Sequence, residues 1–254
     1  MWLAPEHPEE GSGAGPRARR SSLPGAVVVV TGAGGTAGPA VVERLAARGA
    51  FVVAVDAEES RIAPLVDAVL AAGGRCAGRA VDLVDEAATF SWASSLVDQC
   101  DHVDGLIHLV GGADGMPDID AAPSDWDWMQ ALVVRTLQNA SLALREHLQA
   151  SDRGRLAVVS SLAAGRPTAR NAYYASAQAA AEAWVLALAD SFRGTMAAAT
   201  VVSLRGLLSP SILRARTAAN LPGFVEVDAL ARVLEGLWSR SADELNGARI
   251  RLDR

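Results

Sequence analysis

The stretch Ala26-Val27-Val28-Val29-Val30-Thr31-Gly32-Ala33-Gly34-Gly35-Thr36-Ala37-Gly38 decides the reading of this chain. It opens as a continuous run of β-prone apolar residues, ends in a cluster of glycines, and leads into a segment of helical composition that reaches about Arg48. An apolar run without alternation suits a strand covered on both faces. Glycines between a strand and a helix let the backbone approach a diphosphate whose charge then sits at the helix N-terminus, although the same glycines also serve ordinary turn chemistry. The next strand, Phe51–Val55, ends at Asp56, 18 residues after Gly38. An acid at that place accepts hydrogen bonds from a ribose diol and repels a 2′-phosphate. Strand, glycine turn, helix, strand and acid together point to a dinucleotide site, with NAD favoured over NADP. An aspartate at a strand end is also a common helix cap.

Outward from this unit the pattern repeats. Apolar runs at Cys76–Val81, Gly105–Val110, Leu156–Ser160, Ala198–Ser203 and Ala248–Leu252 alternate with longer segments of helical composition. Seven strands alternating with helices imply a parallel sheet, because each parallel neighbour needs a crossover and the continuous apolar runs need cover on both faces. The expected fold is α/β: a Rossmann-type, doubly wound, seven-stranded parallel sheet in a single domain from residue 23 to 254. Residues 1–22 are rich in Pro, Gly, Glu and Arg without apolar periodicity and read as a disordered tail, whose Arg17, Arg19 and Arg20 are either an address or simply solvated.

Composition narrows the function. The 254 residues are half hydrophobic and one-fifth charged, which excludes disorder for the body of the chain. A formal charge of −6 argues against a nucleic-acid partner, which requires a basic face. No apolar run approaches the roughly 20 residues of a membrane span, so the expectation is a soluble, cytoplasmic protein without a membrane partner. Cys76 and Cys100 make neither a disulfide framework nor a zinc site, and His7, His102, His108 and His147 show no ligand spacing. Every basic residue is arginine; the chain contains no lysine.

From Leu23 to Leu252 the sequence resembles the short-chain dehydrogenase/reductase family. The glycine signature of that family matches at Thr31, Gly32 and Gly38, with Gly35 and Ala37 in the same turn, and Thr36 stands where the family has its middle glycine. The added side chain either crowds the diphosphate or hydrogen-bonds it. Asp82-Leu83 resembles the pair beside the adenine ring. His108-Leu109-Val110-Gly111 stands where many members have Asn-Asn-Ala-Gly, and only Gly111 matches strictly. The resemblance implies that Ser161 and Tyr174, 13 residues apart, flank a substrate carbonyl, with the serine positioning it and the tyrosine moving the proton. Tyr173, the adjacent competitor, falls outside the site.

The departures are chemical. The family's Tyr-x-x-x-Lys reads Tyr174-Ala175-Ser176-Ala177-Gln178, and on this alignment the family's catalytic asparagine is Val133. Asn139 lies on roughly the opposite helix face. A tyrosine needs a neighbouring positive charge to act as a base near neutrality, and Gln178 offers an amide that can hydrogen-bond a ribose but carries no charge. Arg166 and Arg170 are the nearest arginines in sequence. The family's Pro-Gly after the sixth strand is Arg205-Gly206, and Leu207 to Pro222, with Ile212, Leu213, Arg214 and Arg216, resembles its substrate lid. Two readings follow. One is a member with a degraded catalytic set (Ser161 and Tyr174 kept, Gln178 and Val133 substituted) that is catalytically weak, non-redox, or a regulatory subunit. The other is an active NAD(H)-dependent oxidoreductase of small alcohols and ketones with Tyr174 as acid/base. A homo-oligomer, or a hetero-oligomer with an active relative, is expected in either case, with Trp126, Trp128 and Trp184 suited to an interface or to the core.

Overall fold

The computed structural model describes residues 23–112, 118–208 and 223–253. The tail at 1–22 and the lid residues Ile212, Leu213, Arg214 and Arg216 lie outside the described residues. Seven strands form one sheet: β1 (Val27–Thr31), β2 (Phe51–Asp56), β3 (Arg75–Ala80), β4 (Gly105–His108), β5 (Arg155–Ser161), β6 (Ala198–Leu204) and, last in the chain, β9 (Arg249–Leu252). Their order is β3-β2-β1-β4-β5-β6-β9, and every pairing is parallel. The strand ends differ from the sequence reading by no more than two residues. Two further strands, β7 (Leu207–Leu208) and β8 (Val225–Glu226), pair in parallel as a separate ribbon. At two residues each they carry no periodicity to read.

The alternation of side chains across a strand explains why the apolar runs are continuous. In β1, Val27 and Val29 face one core while Val28 and Val30 face the other; in β2, Phe51, Val53 and Val55 oppose Val52 and Ala54. One core is closed by α3 (Glu86–Cys100), α5 (Thr136–Ala150) and α6 (Ala172–Ser191), the other by α1 (Gly38–Ala47), α2 (Glu59–Ala71) and α7 (Val227–Glu235). The helix before β5 is one long run, α4 (Pro123–Gln130) leading into α5, interrupted by a π-helical turn at Ala131–Arg135.

Register gathers the sequence signals at one edge. Thr31 pairs with Val55 and with His108, Asp56 follows Val55, and Ser161 pairs with Leu204. These are the carboxyl ends of the strands. The order reverses between β1 and β4, and a doubly wound sheet binds its ligands in the crevice at such a switch point.

Candidate active site

A cleft of about 1430 Å3 opens along that edge, from the glycine turn and Asp56 at one end to Ser161, Tyr174 and Arg205 at the other. The glycine turn is fixed by close approach: a Cβ on Gly38 would lie 1.9 Å from the carbonyl oxygen of Ala33, so only glycine lets the turn fold onto the start of α1. The α1 N-terminus has no side-chain cap, and Gly35, Thr36 and Ala37 line the cleft beside it. That is the arrangement a diphosphate requires. Asp56 is buried at the end of β2, where its Oδ2 accepts a hydrogen bond from the Gly34 N–H at 2.9 Å and its Oδ1 lies 3.6 Å from the Arg61 guanidinium. Asp82 and Leu83 do not line the cleft. Asp82 turns back to accept from the Val84 N–H at 2.9 Å, and Leu83 is buried in the core. The reason is Asn139, whose amide donates to the carbonyls of Leu83 and Val84 and pulls that loop onto α5.

At the other end, Ser161 closes β5 and its Oγ accepts from the Ala163 N–H at 3.1 Å, which leaves its own hydrogen free to donate toward the cleft. Tyr174 stands in the first turn of α6, 8% exposed. Burial pushes its phenol above the ordinary value of 10, opposed by hydrogen bonding with Ser161 and Gln178. Among the described residues no arginine contributes to this shift. Tyr173 donates to the Ala121 carbonyl at 3.0 Å and packs edge-on against Trp126, a supporting role away from the cleft.

Gln178 is 2% exposed, and its amide oxygen has no hydrogen-bond partner among the described residues. The same side chain adjoins Gly111 and Val133: a Cβ on Gly111 would meet Gln178 Nε2 at 3.3 Å and Val133 Cγ2 at 3.8 Å. The positions read as lysine and asparagine substitutions are therefore neighbours, beside the backbone of Gly111 that lines the cleft. A buried acceptor without a donor costs stability unless a ligand or water supplies one. The uncapped glycine turn and the pinned Asp56 line the cleft and fit a nicotinamide dinucleotide; Gln178 adjoins Gly111 but does not itself line the cleft.

His108 is the residue whose importance the sequence concealed. It is completely buried, with Nδ1 2.8 Å from Thr31 Oγ1 and Nε2 3.3 Å from Thr136 Oγ1. Thr136 donates its single hydroxyl hydrogen to the Leu132 carbonyl at 2.6 Å, so it must accept from His108 Nε2–H, and Nδ1 in turn accepts from Thr31. Burial pushes the imidazole down to about 3 and keeps it neutral. It bolts the strand leading into the glycine turn to the π-helical turn that carries Val133.

Comparison with known proteins agrees with this architecture. The model of the family described as short chain dehydrogenase matches residues 26–212. Over 163 residues the chain is 31% identical to the short-chain reductase protein NovJ of Streptomyces niveus, covering 64% of this chain and 62% of that protein. Over 161 residues it is 29% identical to the 2,3-dihydro-2,3-dihydroxybenzoate dehydrogenase of Bacillus subtilis, covering 63% and 61%. The matches thus span about three-fifths of the length of these relatives. The NAD+-bound xylitol dehydrogenase has the same fold, with a TM-score of 0.79 at 16% identity over 91% of this chain and 98% of that one. With the strand order, the glycine turn and the Ser161–Tyr174 pair in place, and the family model covering most of the sheet, this chain belongs to the short-chain dehydrogenase family.

Proposed function

We propose that this protein binds NAD(H) and performs slow, reductively biased carbonyl chemistry on a small-molecule substrate, with Tyr174 as proton donor and Ser161 holding the carbonyl oxygen. One observation carries the reading: the Tyr174 phenol is buried beside a neutral Gln178, and among the described residues no cation contributes to its shift. A phenol held above its ordinary value keeps its proton at neutral pH and is fit to give it away, but is poorly fit to remove one. When bound, the dinucleotide supplies the hydride of the new C–H bond. Tyr174 then gives its proton to the carbonyl oxygen to complete the O–H bond, and the phenolate left behind regains a proton from solvent. Without a lysine, the hydrogen-bonding groups beside that phenolate among the described residues are the neutral Ser161 and Gln178, so turnover is slow.

Asp56, fixed by the Gly34 N–H, supports NAD over NADP. Calorimetric titration with NADH and NADPH tests this first. The expected result is NADH binding well ahead of NADPH, slow turnover abolished by Tyr174→Phe, and a rate increase of about tenfold or more in Gln178→Lys. Binding of neither dinucleotide overturns the reading.

A second reading, a regulatory subunit beside an active relative, is favoured by apolar residues left open on α4 and α5: Trp128 is 49% exposed and Leu142 41%. Mixing with a family member that retains Tyr-x-x-x-Lys tests it. A stable mixed oligomer with altered turnover supports it, and two unchanged homo-oligomers sink it.

A further inference from the structure

We propose that the substrate carries a carboxylate, gripped by Arg166 and Arg205 at the Ser161–Tyr174 end of the cleft. The proposal rests on the carbonyl-reductase reading for the site but not on its rate.

The cleft wall holds five arginines and, among the described residues, three acids. The acids are all engaged. Arg61 lies 3.6 Å from Asp56, Arg249 3.0 Å from Glu182, and Arg251 2.7 Å from Asp253. That leaves Arg166 and Arg205, whose guanidinium groups have no ion-pair or hydrogen-bond partner among the described residues. In a chain of net charge −6, the described residues of the cleft wall therefore carry an excess of two positive charges, those of Arg166 and Arg205. Such a local field draws in an anion.

Both residues are placed by Ser161. Arg205 directly follows Leu204, the register partner of Ser161 on the adjacent strand, and parallel neighbours lie about 4.8 Å apart. Arg166 directly follows the short helical turn Leu162–Gly165, which Ser161 itself caps. Arg205 also has a built seat. Gly223 holds φ +81, and a Cβ there would come 3.2 Å from Arg205 Cδ, so the stem of the arginine lies along bare backbone. An arginine stem held against glycine backbone, with no counter-charge among the described residues, is placed for a bidentate carboxylate contact.

Calorimetry on the full chain, with and without saturating NADH, tests the proposal using phenylacetate against its neutral counterpart phenylacetamide, and inorganic phosphate as a third probe. Phenylacetate is expected to bind about tenfold more tightly than phenylacetamide. Arg205→Gln and Arg166→Gln should each remove most of that preference while leaving phenylacetamide and NADH affinities unchanged. Equal binding of the two organic probes, failure of phenylacetate to bind either form, or preference for phosphate overturns the carboxylate assignment. Loss of NADH affinity in the arginine variants also overturns it, because the guanidinium groups would then serve the dinucleotide. If NADH fails to bind while phenylacetate still binds through both arginines, the carboxylate site stands and the redox reading falls.

Discussion

Tyr174 and Gln178 lie one helical turn apart, and that turn sets the pH behaviour expected of the protein. Because burial holds the Tyr174 phenol above 10, with only the hydrogen bonds of Ser161 and Gln178 opposing it, alcohol oxidation should rise with pH by about tenfold per unit into the strongly alkaline range. Carbonyl reduction should instead stay level through neutrality. Gln178→Lys places a cation beside the phenolate and should move the alkaline limb of the oxidation profile to lower pH; an unmoved profile would show that Tyr174 is not the titrating group. A second titrating pair lies at the opposite end of the sheet. His102 Nε2 is 3.2 Å from Asp104 Oδ2, and this hydrogen bond raises the imidazole above 6.5 although burial opposes it. Burial works to raise Asp104, but hydrogen bonds from His102 and Ser151, together with Arg153, outweigh it and hold the carboxyl below 3.8. The stability due to His102 is complete below pH 6.5 and is lost as pH rises through its raised value. That due to Asp104 is complete above pH 3.8 and is lost as pH falls through its lowered value. The destabilisation caused by His102→Gln, measured by urea unfolding, should therefore be larger near pH 5 than near pH 8.

Among the elements, the π-helical turn at Ala131–Arg135 and helix α6 each make a demand that their own sequences do not meet. The turn is fastened by Thr136, which donates to Leu132 and accepts from His108. Thr136→Val keeps the shape but strands the His108 N–H in a fully buried place, at a cost of about 1–3 kcal/mol in chemical denaturation. A neutral result would contradict the assigned tautomer. Helix α6 is apolar on nearly every side: Tyr174, Ala177, Ala181 and Val185 face the core, while Ala180, Ala183 and Ala187 are exposed. A helix without a polar face belongs in an interface. With Trp128 and Leu142 also open, self-association is expected, and light scattering should find Ala183→Glu shifted toward smaller species.

At the scale of the molecule, the switch point between β1 and β4 makes cofactor binding and folding a single measurement. A ligand that binds only the folded chain stabilises it by about 2.7 kcal/mol at a hundredfold excess over Kd. NADH at that level should raise the thermal midpoint by several degrees, with NADPH giving less. Asp56→Ser removes the carboxylate that opposes a 2′-phosphate, so the two dinucleotides should then become nearly equal; an unchanged gap would place the discrimination elsewhere in the cleft. Arg61, 3.6 Å from Asp56, is the residue to test next in that event.

The sequence by itself determined the sheet. Its five central strands are apolar runs covered on both faces, and such runs are visible without knowing their neighbours; the edge strands β3 and β9 carry arginines and are partly exposed, and β7 and β8, two residues long, show no run at all. The glycine turn, Asp56 and the Ser161–Tyr174 spacing were legible because each depends on a local backbone conformation or a fixed helical offset. What the tertiary structure alone decided are contacts across distance. His108 meets threonines 77 and 28 residues away. Gln178 is sealed beside Gly111 and Val133, Asn139 draws Leu83 into the core, and Arg205 rests on Gly223. Backbone preference acts between near neighbours and can be read from them. Burial of a polar side chain and the choice of its partner depend on which distant elements pack together, and only the folded chain fixes that.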